Sequence, residues 1–346
     1  MKTIKDVAAY SGVSLTTVSR VVNGSDKVSP KTKAKVDQAI KELGYFPNNA
    51  ARSLVKKQTD SIAILLRNIH DPFFTDLIRG IEDASASLGR NIIFCSPGKD
   101  EKVRDRYIEY LTNGISDAII LYGSLFTDKA MVEHLQEVGF PFLLIENNFQ
   151  MMPVNQFLID NVAGARDAVN YLIRHNHKRI AHVMGNPNKK VILERLNGYI
   201  ETMQDNGLLI QDYYIQNTLS DSTLSLPKFR EMMNRPEGER PTAIFCSNDK
   251  IAMMVINELM ESGFKVPEDV SVVGFDNLNT YGFSYRGPRI TSIRQPLYQI
   301  GYDSIISIDG VLQGSVQTPI NRFYPTTLEE HETVCSLLRM SSDQNQ

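Results

Sequence analysis

The residues best placed to do chemistry stand just after short apolar runs. The stretch NIHDPFF follows SIAILL and brings Phe73 and Phe74. Glu146 follows FLLI, Asn248 and Asp249 follow TAIFCS, and Asp276 and Asn277 follow SVVGF. Ligands of open parallel sheets bind outside the carboxyl ends of the strands. Carboxylates and amides there would hydrogen-bond a polar ligand, and the phenylalanines would offer it an apolar wall. The usual enzyme signatures GxxxxGK[ST], GxSxG and HExxH are absent from the sequence. Asp249 and Asp276 could form a glycosidase carboxylate pair, but no other feature supports that, and the expectation is a non-enzyme. The six histidines are scattered. His175 and His177 lie beside Lys178 and Arg179 near a helix end, where they suit its negative pole. Cys95, Cys246 and Cys335 form no CxxC pair and no metal-ligand spacing. No cofactor and no metal are expected.

The elements that carry these residues come in two kinds. Past Asp60, apolar runs (SIAILL, NIIFCS, DAIILY, FLLIE, RIAHVMG, TAIFCSN, DVSVVGF) alternate with amphipathic stretches. That pattern belongs to parallel sheets covered on both faces, and about 275 residues suit two such lobes better than one. Before Asp60 the chain is helical. Thr3 caps a first helix with Ile4, Val7, Ala8 and Tyr10 on its apolar stripe, and Gly12 breaks it. Ser14 caps a second helix from Leu15 to Val22, with Val18, Val21 and Val22 inward and Leu15, Thr16, Thr17, Ser19 and Arg20 outward. Ser29-Pro30 opens a third, with Ala34, Val36, Ala39, Ile40 and Leu43 buried and Gly44 as its stop. Two short helices across a glycine-containing turn, braced by a third, make a helix-turn-helix. Its second helix enters the DNA major groove, where an arginine can grip guanine. Residues 1–57 hold eleven Lys/Arg against four Asp/Glu, a net +7, while the rest of the chain carries −10. A basic head on an acidic body points to a polyanion for the head.

The segment IKDVAAYSGVSLTTVSRVVNGSDKVSPKTKAKVDQAIKELGYFPNNAARSLVKKQT resembles the head of the lactose-repressor/galactose-repressor family almost position for position. ERLNGY, SND, VVGFDN and ITSIRQPLYQIG resemble motifs of the family's body, so the likeness spans about residues 2–333. It implies an all-α helix-turn-helix domain (1–47), a hinge helix and linker (48–59) and an α/β two-lobed, periplasmic-binding-protein-like core with parallel sheets (60–333). A tail follows (334–346). One lobe would take about 60–159 and 291–320, the other about 160–290 and 321–333. Leu15, Thr16 and Arg20 would read bases, while Thr17, Ser19 and Asn23 hold phosphates. Leu54 would wedge into the minor groove beside Ala51, with Arg52 near phosphates. The cleft would use Phe73, Phe74, Glu146, Arg195, Asn248, Asp249, Asp276 and Gln295. Asp276 would accept from sugar hydroxyls while Arg195 donates to them. Asp160 reads as a helix cap.

The resemblance implies a dimeric transcriptional repressor of double-stranded operator DNA, released by a small sugar. The sequence departs from some branches of the family. It has no Trp to stack on a sugar ring; the corresponding loop, Asn217–Thr223, offers Leu219, so stacking would fall to Phe73, Phe74, Tyr122 or Tyr281. Lys189-Lys190-Val191 argues against a purine corepressor, and keeping Arg195 favours direct small-molecule sensing over a protein coregulator. HETVCSLLRMSSDQNQ is too short for a tetramer-forming heptad. A transport-associated sugar-binding protein would share the body but not the basic head. With no signal-like apolar stretch at the N-terminus, a cytoplasmic, non-membrane location is expected.

Overall fold

The computed structural model describes residues 2–22, 24–45, 58–98, 100–123, 128–146, 149, 152–220, 223–279 and 285–337, without the side chains of 219, 220, 223, 224 and 226. The chain divides into two units, Met1–Asp60 and Ser61–Gln346.

In the first unit, α1 (Ile4–Ser11) begins at a capping box: the Thr3 side chain accepts from the Asp6 amide, and the Asp6 carboxylate accepts from the Thr3 amide. Gly12 ends it in the left-handed conformation. The Thr17 amide donates to Ser14 Oγ at 3.1 Å, opening α2 (Leu15–Val22). Helix α3 (Pro30–Leu43) is capped by Ser29 and stopped by Gly44. Val7, Val18, Val21, Val36 and Ala39 meet in one small core. Two expected core residues lie outside it. Ala34 is exposed, because it stands two residues, about 200° of helix rotation, from Val36. Tyr10 is exposed too, with its hydroxyl donating to Glu42 of α3.

The second unit holds two sheets. The first has the order β12 (Asn321–Tyr324), β5 (Gln156–Ile159), β4 (Phe142–Ile145), β3 (Ala118–Tyr122), β1 (Ser61–Leu65) and β2 (Asn91–Cys95), all parallel. The second runs β13 (Thr327–Glu329), β11 (Thr291–Arg294), β10 (Ser271–Phe275), β9 (Ala243–Cys246), β6 (Ile180–Met184), β7 (Ile215–Ser220) and β8 (Thr223–Leu224). Only its edge strands β13 and β8 pair antiparallel. Central strands such as β4, β9 and β10 are buried throughout, as helices on both faces require. Where a loop was expected over Asn217–Thr223, β7 extends to Ser220.

One close helix crossing shapes the first lobe. Helix α4 (Thr75–Leu88) packs against α11 (Leu297–Leu312) with backbones nearly touching. A Cβ on Gly80 would fall 2.1 Å from the Tyr298 carbonyl oxygen, and one on Gly301 would fall 2.2 Å from that of Leu77. Only glycine permits that approach at both positions.

The chain crosses between the sheets three times, but not at the expected residues. Thr291–Arg294 pairs with Ser271–Phe275, so it belongs to the second sheet rather than the first. Asn321–Tyr324 pairs with Gln156–Ile159, so it belongs to the first. The crossings therefore fall at Asp160, at Gln295–Pro296 and at 325–326. The expected tail also begins too early. Cys335 N donates to Ser271 Oγ, and the Leu337 amide donates to the His175 carbonyl, so 334–337 is packed on the second lobe.

Candidate functional site

On the head, α2 turns Val18 and Val21 inward. That leaves Leu15, 44 % exposed, with Thr16 and Arg20 also exposed, while Thr17 and Ser19 are half-buried. The Thr17 hydroxyl is 2.8 Å from that of Ser14, within the cap. The outward face is the one expected to meet DNA. Asn23, Ala51, Arg52 and Leu54 lie outside the described residues.

In the body, the expected cleft residues gather at the carboxyl ends of strands in both lobes. After β1, Asp71 accepts from the Phe73 amide and opens a single 3-10 turn, Pro72–Phe74. Phe73, Phe74 and Tyr122 then pack edge to face, with ring centres 5.1–5.9 Å apart. Phe74 belongs to the first lobe's core and Phe73 lies against it, half-buried. At the end of β4, Glu146 takes a positive φ of 65° and is buried. Asp276, after β10, has φ 102°. Non-glycine residues tolerate such angles at a cost of about 1–3 kcal/mol, and they concentrate at functional sites.

Arg195 sits on α8 (Lys190–Asp205) and is only 3 % exposed. Its Nε donates to Asn161 Oδ1 at 2.9 Å, and its Nη1 donates to the Ser247 carbonyl at 2.6 Å and to Asp276 Oδ1 at 3.3 Å. The guanidinium lies 3.6 Å from the centre of the Phe275 ring. Asp276 Oδ1 also accepts from Gln295 Nε2 at 2.6 Å, while Gln295 Oε1 is buried with no partner. A ligand donor could meet that acceptor. Burial pushes the Asp276 carboxyl up to about 6, against the pull of Arg195, and pushes Glu146 up to about 7. A cavity of about 420 Å³ opens beside Glu146, bounded by Asp160, Asn161, Lys190, Glu194 and Phe323.

Two expected effector residues also hold the site's frame. Asn248 caps α10 (Asp249–Glu261) by accepting from the Ile251 amide. Asp249 is fully engaged: it accepts from the Leu278 amide at 2.6 Å and from Ser292 Oγ at 2.7 Å. It thereby ties the turn carrying Asp276 to β11. Gly274 makes room for it, since a Cβ there would fall 1.9 Å from Asp249 Oδ1. Burial, with the neighbouring Asp276 charge, holds the Asp249 carboxyl well above its usual range. Asp160 caps α7 (Asn161–Arg174) as read from the sequence.

Sequence reasoning missed three parts of this site. Asn161 joins Glu146 to Arg195, whereas the sequence points only to its neighbour Asp160, as a helix cap. Lys250 of the second lobe pairs with Asp71 of the first. The Ser247 carbonyl is a backbone group that no side-chain motif reveals. A signal for Asn161 existed: it is the first helical residue after the crossing at Asp160.

The family model described as periplasmic binding proteins and sugar binding domain of LacI family matches residues 59–315. The model for bacterial regulatory proteins, lacI family, matches 3–48. The chain belongs to the LacI family. Among its curated relatives, the HTH-type transcriptional repressor CytR of Escherichia coli (strain K12) is 31 % identical over 313 residues, covering 90 % of each chain. Catabolite control protein A of Priestia megaterium is 35 % identical over 306 residues, 86 % of this chain and 89 % of the relative. The lac repressor dimer bound to operator and the anti-inducer ONPF superposes with a TM-score of 0.84 at 27 % identity, covering 96 % of this chain and 99 % of that one. A transcriptional regulator CelR–cellobiose complex superposes at 0.71 with 29 % identity over 96 % and 100 %. This LacI-family chain therefore joins a helix-turn-helix, DNA-binding domain to a sugar-binding-type core, and its relatives are transcriptional regulators. Among its described residues no helix is long and apolar enough to cross a membrane.

Proposed function

We propose that this protein is a cytoplasmic, dimeric repressor that binds a near-palindromic operator and is released by a small sugar or sugar derivative held between its lobes. The observation that carries the reading is the buried Arg195–Asp276 pair, with Gln295 beside it, at the carboxyl ends of the strands. Matched donors and acceptors of this kind suit a polyhydroxylated ligand, because a ligand lacking a hydroxyl leaves one of them unpaired. Structures of relatives with operator and anti-inducer, and with cellobiose, support the same division of labour.

On the head, Leu15, Thr16 and Arg20 read base edges, while Thr17, Ser19 and Asn23 position the helix on phosphates. Ala51, Arg52 and Leu54 supply the hinge contacts in the minor groove. In the body, Arg195 and Asp276 grip the sugar, Gln295 and Glu146 offer further acceptors, and Phe73 supplies an apolar wall. Sugar binding shifts the lobes and so separates the paired heads. Coupling is reciprocal, so operator must weaken sugar binding by the factor by which sugar weakens operator binding. The test is calorimetric titration of the full-length protein with mono- and disaccharides, sugar phosphates and purines, with and without a DNA duplex selected by the protein itself. One sugar that binds, and binds less tightly with DNA present, supports the reading. Equal affinity in both conditions, or no binding by any compound, overturns it.

A further inference from the structure

Two of the three chain crossings carry a buried amide bonded to the Arg195–Asp276 pair. Asn161 is the first residue of α7, directly after the crossing from β5 at Asp160, and is 2 % exposed. It receives Arg195 Nε on Oδ1 at 2.9 Å. Its Nδ2 donates to Glu146 Oε1 of the first lobe at 3.2 Å and to Glu194 Oε2 of the second at 3.0 Å. A weaker contact reaches the Ile159 carbonyl at 3.3 Å. Gln295 lies at the second crossing, between β11 and α11, and its Nε2 holds Asp276 Oδ1. One crossing amide thus grips the cation of the pair and the other grips the anion. A rotation of the lobes about these crossings must move one or both amides relative to the groups they hold.

We propose that Asn161, together with Gln295, is the positioning residue that couples lobe angle to the sugar-binding Arg195–Asp276 pair. This rests on the reading that Arg195 and Asp276 hold the sugar. Asn161 suits the role because both ends of its amide are committed, one to Arg195 and the other to a carboxylate on each side of the cleft. A hydroxyl could not serve all three, and an aspartate would oppose two carboxylates. Gln295 adds the complementary grip on Asp276.

The test uses full-length protein and the Asn161→Leu, Asn161→Asp and Gln295→Leu variants. Each is titrated with cellobiose, D-ribose, D-glucose and D-galactose, with and without the selected duplex. For a sugar the wild type binds, Asn161→Leu raises Kd about ten- to hundredfold. Operator then changes that affinity by less than about twofold, as lost coupling requires. Asn161→Asp, which is nearly isosteric, costs more at pH 8 than at pH 6. At the lower pH Glu146 carries a proton and donates to the new carboxylate, whereas at the higher pH it repels it. Glu146, Glu194 and Arg195 bond to position 161, Asp160 and Lys190 share its cavity, and Asp276 and Tyr122 act on Glu146 beside it. Wild-type affinity, wild-type coupling and no added pH dependence in these variants overturn the proposal. If Arg195→Ala leaves sugar binding intact, the sugar-site reading fails instead. Should no sugar bind, a crystal structure of Asn161→Leu decides. Arg195 drawn away from Asp276 supports the positioning role, and Arg195 unmoved overturns it.

Discussion

A guanidinium as deeply buried as that of Arg195 is stable only when its hydrogens are matched, and here Asn161, Ser247 and Asp276 match them from three sides. In the proposed sugar site, the same neighbours would hold its fork still for the ligand. Removing the carboxylate undoes both functions. Asp276→Ala should abolish detectable sugar binding by calorimetry, leave operator binding by anisotropy within about threefold, and cost about 1–3 kcal/mol of stability. Arg20→Ala should do the opposite, weakening operator binding by about 1–3 kcal/mol with sugar affinity unchanged. Glu146 gives a pH signature. Its folded-state value of about 7 lies above the ordinary 4.5, so the folded state holds the extra proton between those values. Its contribution to stability is full below pH 4.5 and is lost as pH rises through about 7. Glu146→Gln keeps the shape without the charge. Its melting temperature should therefore gain on the wild type as pH rises from 5 to 8, and a constant difference would refute the burial argument.

At the scale of elements, glycine sets two of the tightest contacts. Gly301→Ala should push α11 away from α4 and cost about 1–3 kcal/mol, read from denaturant unfolding, whereas Gly314→Ala meets no atom within 4 Å and strains only its own backbone. Elements with strong local signals were legible in the sequence. The head's three helices carry a cap or stop residue at most ends, and within them Ile4 and Val7, Val18 and Val21, and Val36 and Ala39 repeat at helical spacing. Strands β1, β3, β4, β9 and β10 are unbroken apolar runs. Strands β12 and β13 were not legible, because they are short edge strands, β12 mostly exposed and β13 half-buried, whose place is set by partners distant in sequence. That is why the lobe boundaries near 291 and 321 were misplaced. At the site, Arg195 and Asp276 stood in recognisable motifs. The bracing work of Asp249 was hidden, because it depends on Ser292 and the Leu278 amide approaching through the fold.

For the whole molecule, two buried histidines oppose the buried acids. His177 bridges Thr242 and the Cys335 carbonyl, and His182 stacks between Tyr199 and Phe245. Burial lowers both to about 4 from 6.5. The unfolded chain binds more protons between those values, so stability falls as pH drops from 6.5 toward 4. Glu146 and Asp276 push the other way over part of that range. His182→Phe, which removes a ring nitrogen that has no partner, should flatten the acid limb of a melting-temperature profile; an unchanged limb would count against the histidine. The three crossings also bear on synthesis. The three-helix core of the head is complete by residue 45, but the first lobe's core still lacks Leu297, Ile300, Ile305, Ile308 and Tyr324 until nearly the whole chain has been translated. A ribosome that stops short of residue 324 thus releases a finished head joined to a first lobe without its last strand. Such fragments would expose apolar surface and aggregate or be degraded. Premature stop codons far downstream should therefore remove the protein from the cell rather than leave a constitutive DNA binder, and quality control would fall on the end of the message.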